Sequence, residues 1–155
     1  MDEFSLGDPI HFMHAVVNRD CPKIRELANT IDVDIISTME WYAMGHAARH
    51  GHLDVIECLL ELGSKMINGP KGKMSPLEHA IKGRQFDAIC LLVDRGANVN
   101  KINSYGETLY TYAICCGFGE IADLLCRLGF RVTYHAPPMS RRAHENLRLH
   151  AAFFL

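Results

Sequence analysis

Glycine recurs at Gly63, Gly96 and Gly129, alanine at Ala47, Ala80 and Ala113, and leucine at Leu59, Leu92 and Leu125, each at intervals of 33 residues. A period of this length means that each unit is too small to bury its own apolar face, so successive units must stack into one continuous core. Such a chain presents a surface to its surroundings, and that surface, not an enclosed cavity, is where function is expected.

The unit from Asn68 to Asn100 shows the local design. Ser75 before Pro76 places a capping side chain ahead of a proline at the first helical position, where its missing N–H costs nothing. A break at Gly83-Arg84-Gln85 separates this short helix from a second, apolar one through Ile89 and Leu91-Leu92-Val93. Gly96 follows that run where a left-handed residue would end the helix. The alanine ladder lies on the first helices, where close stacking demands a small side chain. The second helices carry the apolar stripe, with Asp54, Glu57, Asp87, Asp94, Glu120 and Asp123 between its members.

With 155 residues, 48% of them hydrophobic and 22% charged, the chain is long enough for a single domain with its own core. A formal charge of −2 and scattered basic residues argue against direct nucleic-acid binding, which needs a dense Lys/Arg patch. The acidic start Met1-Asp2-Glu3-Phe4 lacks the order of a secretory signal, and no apolar run approaches a membrane span. These features set the expectation of a cytoplasmic or nuclear protein without membrane contact. Its six cysteines are then expected reduced, and the register places Cys58 and Cys126 as small core hydrophobes.

Ser75-Pro76-Leu77-Glu78-His79-Ala80 resembles the Thr-Pro-Leu-His-x-Ala signature of the ankyrin repeat. Arg95-Gly96-Ala97-Asn98-Val99-Asn100 is similar to that family's repeat ending, and Ala47-Ala48-Arg49-His50-Gly51-His52-Leu53-Asp54 to its inter-helix segment. The resemblance implies an all-α solenoid of about four helix-turn-helix repeats, at residues 8–35, 36–68, 69–101 and 102–134, closed by a C-terminal capping helix over 135–155. Met139, Ala143, Leu147, Ala151 and Phe154 would form the apolar face of that cap. The first repeat is degenerate, as a cap facing water should be. Tyr42-Ala43-Met44-Gly45 and Thr108-Leu109-Tyr110-Thr111 depart from the signature, losing its proline and histidine, so differently bonded corners are expected there.

Candidate chemistry is sparse. His46 and His50 stand four apart on a helix, with His52 following, as metal ligands can, yet His46 shares a register with His79 and Tyr112, which points to packing between repeats. Cys115 and Cys116 are adjacent and not a Cys-x-x-Cys pair, and no phosphate loop or nucleophile motif is present. No enzyme activity, metal, cofactor or small-molecule ligand is expected.

The resemblance implies instead protein binding through the loop tips and the groove side of the first helices. The corresponding positions are Thr38, Met39, Trp41, Arg49 and His50, then Lys71, Met74 and Lys82, then Ser104, Tyr105, Glu107, Cys115 and Cys116. Trp41, Met74 and Glu107 stand in one register, and either line a binding patch or fill the missing proline and histidine by packing inward. Asn100 resembles the repeat-ending asparagine that protein hydroxylases modify, and turn hydrogen bonding is its simpler role. The terminal Phe153-Phe154-Leu155 is expected to close the core, the alternatives being an apolar peptide ligand for a carboxylate-capturing domain or a dimer contact.

The expected activity is that of a monomeric inhibitor, competitor or adaptor acting on intracellular proteins. A substrate-recognition subunit of a ubiquitin ligase or other enzyme complex is one alternative, and a viral-type mimic of the ankyrin inhibitors of Rel-family transcription factors is another. The stacking register has its own test. Ala80→Leu should lower stability by roughly 1–3 kcal/mol through overpacking, read from the urea unfolding midpoint; an unchanged midpoint would put Ala80 outside the interface.

Overall fold

A computed structural model describes residues 9–131 apart from 32 and 104. Its elements are α1 (Pro9–Val17), α2 (Cys21–Ala28), α3 (Val33–His50), α4 (Leu53–Glu61), a 3-10 turn (Met66–Asn68), α5 (Pro76–Lys82), α6 (Phe86–Asp94), α7 (Leu109–Cys115) and α8 (Gly119–Arg127). Successive helices pair as α1/α2, α3/α4, α5/α6 and α7/α8. One row is built by α1, α3, α5 and α7 packing in turn, and a second row by α2, α4 and α6. Among the described residues the only β pairing is an isolated bridge between Ile102 and Thr108, so the fold is the expected all-α solenoid.

The sequence ladders are the joints of this architecture. The carbonyls of Ala47, Ala80 and Ala113 accept the N–H groups of His52, Gln85 and Phe118, five residues on, at 2.9, 3.0 and 2.9 Å. The carbonyls of Leu59, Leu92 and Leu125 accept from Ser64, Ala97 and Phe130 in the same way at 3.1, 2.8 and 2.9 Å. These long bonds satisfy carbonyls that a helix end would leave unpaired, and they require a left-handed residue just past the end. Gly96, with φ of 97°, supplies it after α6. At the turn between paired helices the equivalent residue is Gly51 after α3 and Arg84, with φ of 56°, after α5. All six ladder side chains are fully buried in one core with Phe12, Ile24, Ile56, Ile89 and Ile121.

Local capping follows the residues. At α5, Ser75 Oγ accepts from Glu78 N–H at 3.3 Å while the Glu78 carboxylate accepts from Ser75 N–H, a reciprocal box that explains how both polar side chains are buried. At α7, Thr108 Oγ1 accepts from Thr111 N–H at 3.1 Å and lies 2.9 Å from Thr111 Oγ1, the differently bonded corner expected there.

Two expectations are corrected. Thr38, Met39 and Trp41 do not sit on a loop tip: α3 starts at Val33 and runs through them, because no proline or glycine interrupts residues 33–44. Cys126 is exposed, whereas Cys58 is buried as expected; the outer row offers Cys126 on α8 little cover. The proposed cap over 135–155 and the Phe153-Phe154-Leu155 end lie outside the described residues.

The backbones of α3 and α5 approach closely. A Cβ added at Gly83 would lie 1.9 Å from the Arg49 carbonyl oxygen, and one at Gly45 would lie 2.9 Å from His79 Cδ2. Gly83→Ala should therefore destabilise the fold by roughly 1–3 kcal/mol, although Gly83 has ordinary right-handed backbone angles that alanine accepts readily. Urea denaturation checks this, and equal or raised stability would contradict the packing.

Candidate functional site

The first-helix row and its loops surround a cavity of about 320 Å³ that spans three consecutive helical pairs. Trp41 and Tyr42 reach it from α3, His79 from α5, Tyr112 from α7 and Tyr105 from the loop before α7. Gly72, Lys73 and Met74 come from the loop before α5, and Glu78 and Asn103 complete the lining. The aromatic walls are ordered by specific contacts. The Trp41 and Tyr42 ring centroids are 4.5 Å apart with planes tilted by 46°. Trp41 Nε1–H donates to the Met74 carbonyl at 3.0 Å, tying α3 to the loop one repeat on. Trp41 is half-buried: one edge is anchored in the structure and the ring forms part of a concave surface.

Tyr105 is 79% exposed, and it is held by its backbone instead of by packing. Asn103 Oδ1 accepts from the N–H groups of Tyr105 and Glu107 at 2.9 and 2.8 Å, a side-chain turn that fixes the loop. Asn103 Nδ2 donates to Glu107 Oε2 at 3.3 Å. Burial, with Cys116 and Glu78 beside it, pushes the Tyr112 phenol up to about 12.

Trp41, Met74 and Tyr105 of the sequence-derived set thus meet in one cavity. Lys71 is exposed beside it in the loop before α5, and Glu107 is half-buried in the Asn103 turn. Arg49, His50 and Lys82 are exposed at the ends of α3 and α5; Thr38 is exposed and Met39 half-buried on α3. Cys115 and Cys116 are half-buried at the end of α7, and no disulfide joins any of the cysteines. Ser104 lies outside the described residues. Sequence reasoning missed Tyr42, Lys73, His79 and Tyr112. The last two were visible as the only bulky partners of His46 in the repeat register, a signal assigned to packing alone.

Asn100 has the turn role. Its Oδ1 accepts from Arg131 N–H at 2.8 Å, its Nδ2 lies 3.5 Å from the Gly129 carbonyl, and its own N–H donates to Asn98 Oδ1 at 2.9 Å. The histidines at the end of α3 pack together, with His46 and His50 ring centroids 4.5 Å apart and His52 5.8 Å from each. Among the described residues no group of three or more His, Cys, Asp or Glu side chains is arranged to hold a metal. No described helix is long and apolar enough to cross a membrane.

A family model of ankyrin repeats (3 copies) matches residues 12–103. Two curated proteins are similar over most of the chain. One, ankyrin repeat and SOCS box protein 11 of Pongo abelii, is 31% identical over 80% of this chain and 38% of its own length. The protein of the same name from Homo sapiens is 30% identical over 68% of this chain and 32% of its own length. The chain therefore spans roughly a third of the length of these relatives.

Protonation should act on this region. Burial above all lowers the pKa of His46, His52 and His79 below the ordinary 6.5, aided by the neighbouring histidines at His46, by Arg19 at His52 and by Arg49 and Lys82 at His79. The Nδ1 atoms of all three are buried without a partner, so a proton added there would have no acceptor. The unfolded chain thus takes up these protons first, and stability that is full above pH 6.5 is lost as pH falls below it. The urea midpoint should drop between pH 7.5 and about pH 5.5, where carboxylates remain ionised, and His79→Gln should reduce that drop. A flat profile would contradict the assignment.

Proposed function

The chain belongs to the ankyrin repeat family, a protein-interaction fold, and from that premise we propose that it is a non-enzymatic module which binds intracellular protein partners through its first-helix row and adjoining loops. The reading rests on one observation: three pairs of helices contribute Trp41, Tyr42, His79 and Tyr112 to a single open concavity, which Tyr105 joins from the loop before α7. Tryptophan and tyrosine dominate protein interfaces because they bury much area for little rotamer entropy. The candidate contact set comprises Thr38, Met39, Trp41, Arg49, His50, Lys71, Met74, Lys82, Ser104, Tyr105, Glu107 and Cys115. Occupying a partner's surface makes the chain an inhibitor, competitor or adaptor, acting as a monomer in the cytoplasm or nucleus.

A second reading, delivery of a bound client to a ubiquitin ligase or other enzyme complex, is favoured by the relatives, whose name joins ankyrin repeats to a SOCS box. Affinity capture from cell extract separates it from the Rel-inhibitor alternative: ligase subunits would support the second reading and a Rel-type transcription factor the mimic.

For the captured partner, Trp41→Ala should weaken binding by about 2 kcal/mol or more with helicity by circular dichroism intact. Tyr105→Ala, which removes an exposed ring, should weaken it without moving the unfolding midpoint. Binding that falls only in proportion to stability, or is untouched by Tyr105→Ala, would place the interface elsewhere.

A further inference from the structure

Four of the described cations, all away from the aromatic cavity, are held in ion pairs, while Arg84 and Arg127 are exposed and form none among the described residues. On the outer side, Arg19 meets Asp54 at 3.0 Å, Arg25 meets Glu61 at 2.8 Å, and Arg95 meets Glu57 at 2.7 Å; each pair links one helical pair to the next. Lys23 meets Glu26 at 2.9 Å within α2. Around the aromatic cavity the pattern is different. Arg49, Lys71, Lys73 and Lys82 are all exposed, and among the described residues none of them forms an ion pair. Lys73 lines the cavity, with Nζ 5.9 Å from the Trp41 ring centroid, and Lys71 precedes it by two residues. Lys82 follows the lining residue His79 by three residues on α5, and the Arg49 backbone packs against Gly83 at the end of that helix.

The carboxylates in this neighbourhood are already engaged. Glu78, the one acidic residue in the lining, is buried and accepts from Ser75 N–H. Glu107 accepts from the Asn103 amide. Lys71, Lys73, Lys82 and Arg49 put four positive charges in this neighbourhood against the two negative charges of Glu78 and Glu107, which hydrogen bonds to uncharged donors leave in place, around walls made of Trp41, Tyr42, Tyr105 and Tyr112. A cation brought by a partner would meet Lys73 already at the indole face and three more cations around it. An anionic partner side chain gains at each of those positions, while an apolar or aromatic residue fits between the rings.

From this charge complementarity we infer that the site recognises an acidic peptide segment of its protein partner, one that places an aromatic or leucine side chain in the cavity and Asp or Glu residues against Lys73, Lys82, Arg49 and Lys71. The inference rests on the protein-binding reading above and adds the chemistry of the partner. Aromatic walls under basic rims also suit single-stranded nucleic acid. The overall charge of −2 favours the peptide.

Selection of a displayed library of random peptides on the full chain tests this without assuming a sequence. The expected winners carry several Asp or Glu residues beside one aromatic or leucine residue. Synthetic copies should lose affinity about tenfold with the double variant Lys73→Glu/Lys82→Glu and by a similar factor with Tyr105→Ala, and should bind more weakly as salt rises. Arg127→Glu, at an exposed cation on α8, should leave binding unchanged. Circular dichroism melts confirm that each variant is folded.

Winners that are basic or uncharged yet lost with Tyr105→Ala would overturn the acidic inference and leave the protein-binding reading standing. Winners indifferent to both Tyr105→Ala and the lysine reversals would overturn the two together. Tighter binding of a thymidine oligonucleotide than of any selected peptide, again dependent on Tyr105, would assign the site to single-stranded nucleic acid and overturn the inference.

Discussion

The contact between α3 and α5 is the constraint on which the rest of the architecture depends. Gly83 brings the end of α5 against the Arg49 carbonyl, and Gly45 accommodates the His79 ring. Ala47 and Ala80 are fully buried on the same two helices. Small residues at these places are required because protein interiors are close-packed and have no room to absorb an added methylene. The approach carries His79 and Tyr112 to the same side as Trp41 and Tyr42, so the spacing that lets the core close also assembles the aromatic concavity.

Much of the scaffold was legible in the sequence because each ladder answers a local need. The alanine and leucine ladders predict burial, and they also mark the residues whose carbonyls close each helix. Ser75-Pro76 and Thr108 announced their caps. The long α3 was less legible. A repeat register favours a corner near Tyr42, but propensity imposes no break over residues 33–44, and a continuous helix results. Register also misjudged Cys126, since it assigns equivalent positions without knowing how much of the outer row covers each one.

The concave face was half visible. Trp41, Met74 and Tyr105 followed from the register of the resembling family, while Tyr42, next to Trp41 on α3, was passed over. His79 and Tyr112 were read as packing residues, and they are both: half-buried between helices and open on one side to the cavity. Lys73 could not be singled out from sequence, because what distinguishes it from Arg19 or Arg95 is that no carboxylate among the described residues pairs with it, a property of three-dimensional placement. Exposed ion pairs of the outer kind contribute little stability, typically under about 1 kcal/mol.

The stacking of α5 on α3 is tested most directly by NMR, through the cross-relaxation between the α-protons of Gly45 and the His79 ring. A Cβ at Gly45 would lie 2.9 Å from His79 Cδ2, so a strong cross-peak between residues 34 apart in sequence is expected, together with a ring-current shift of the Gly45 protons. A Gly45 resonance at its unstructured position with no contact to His79 would contradict the account.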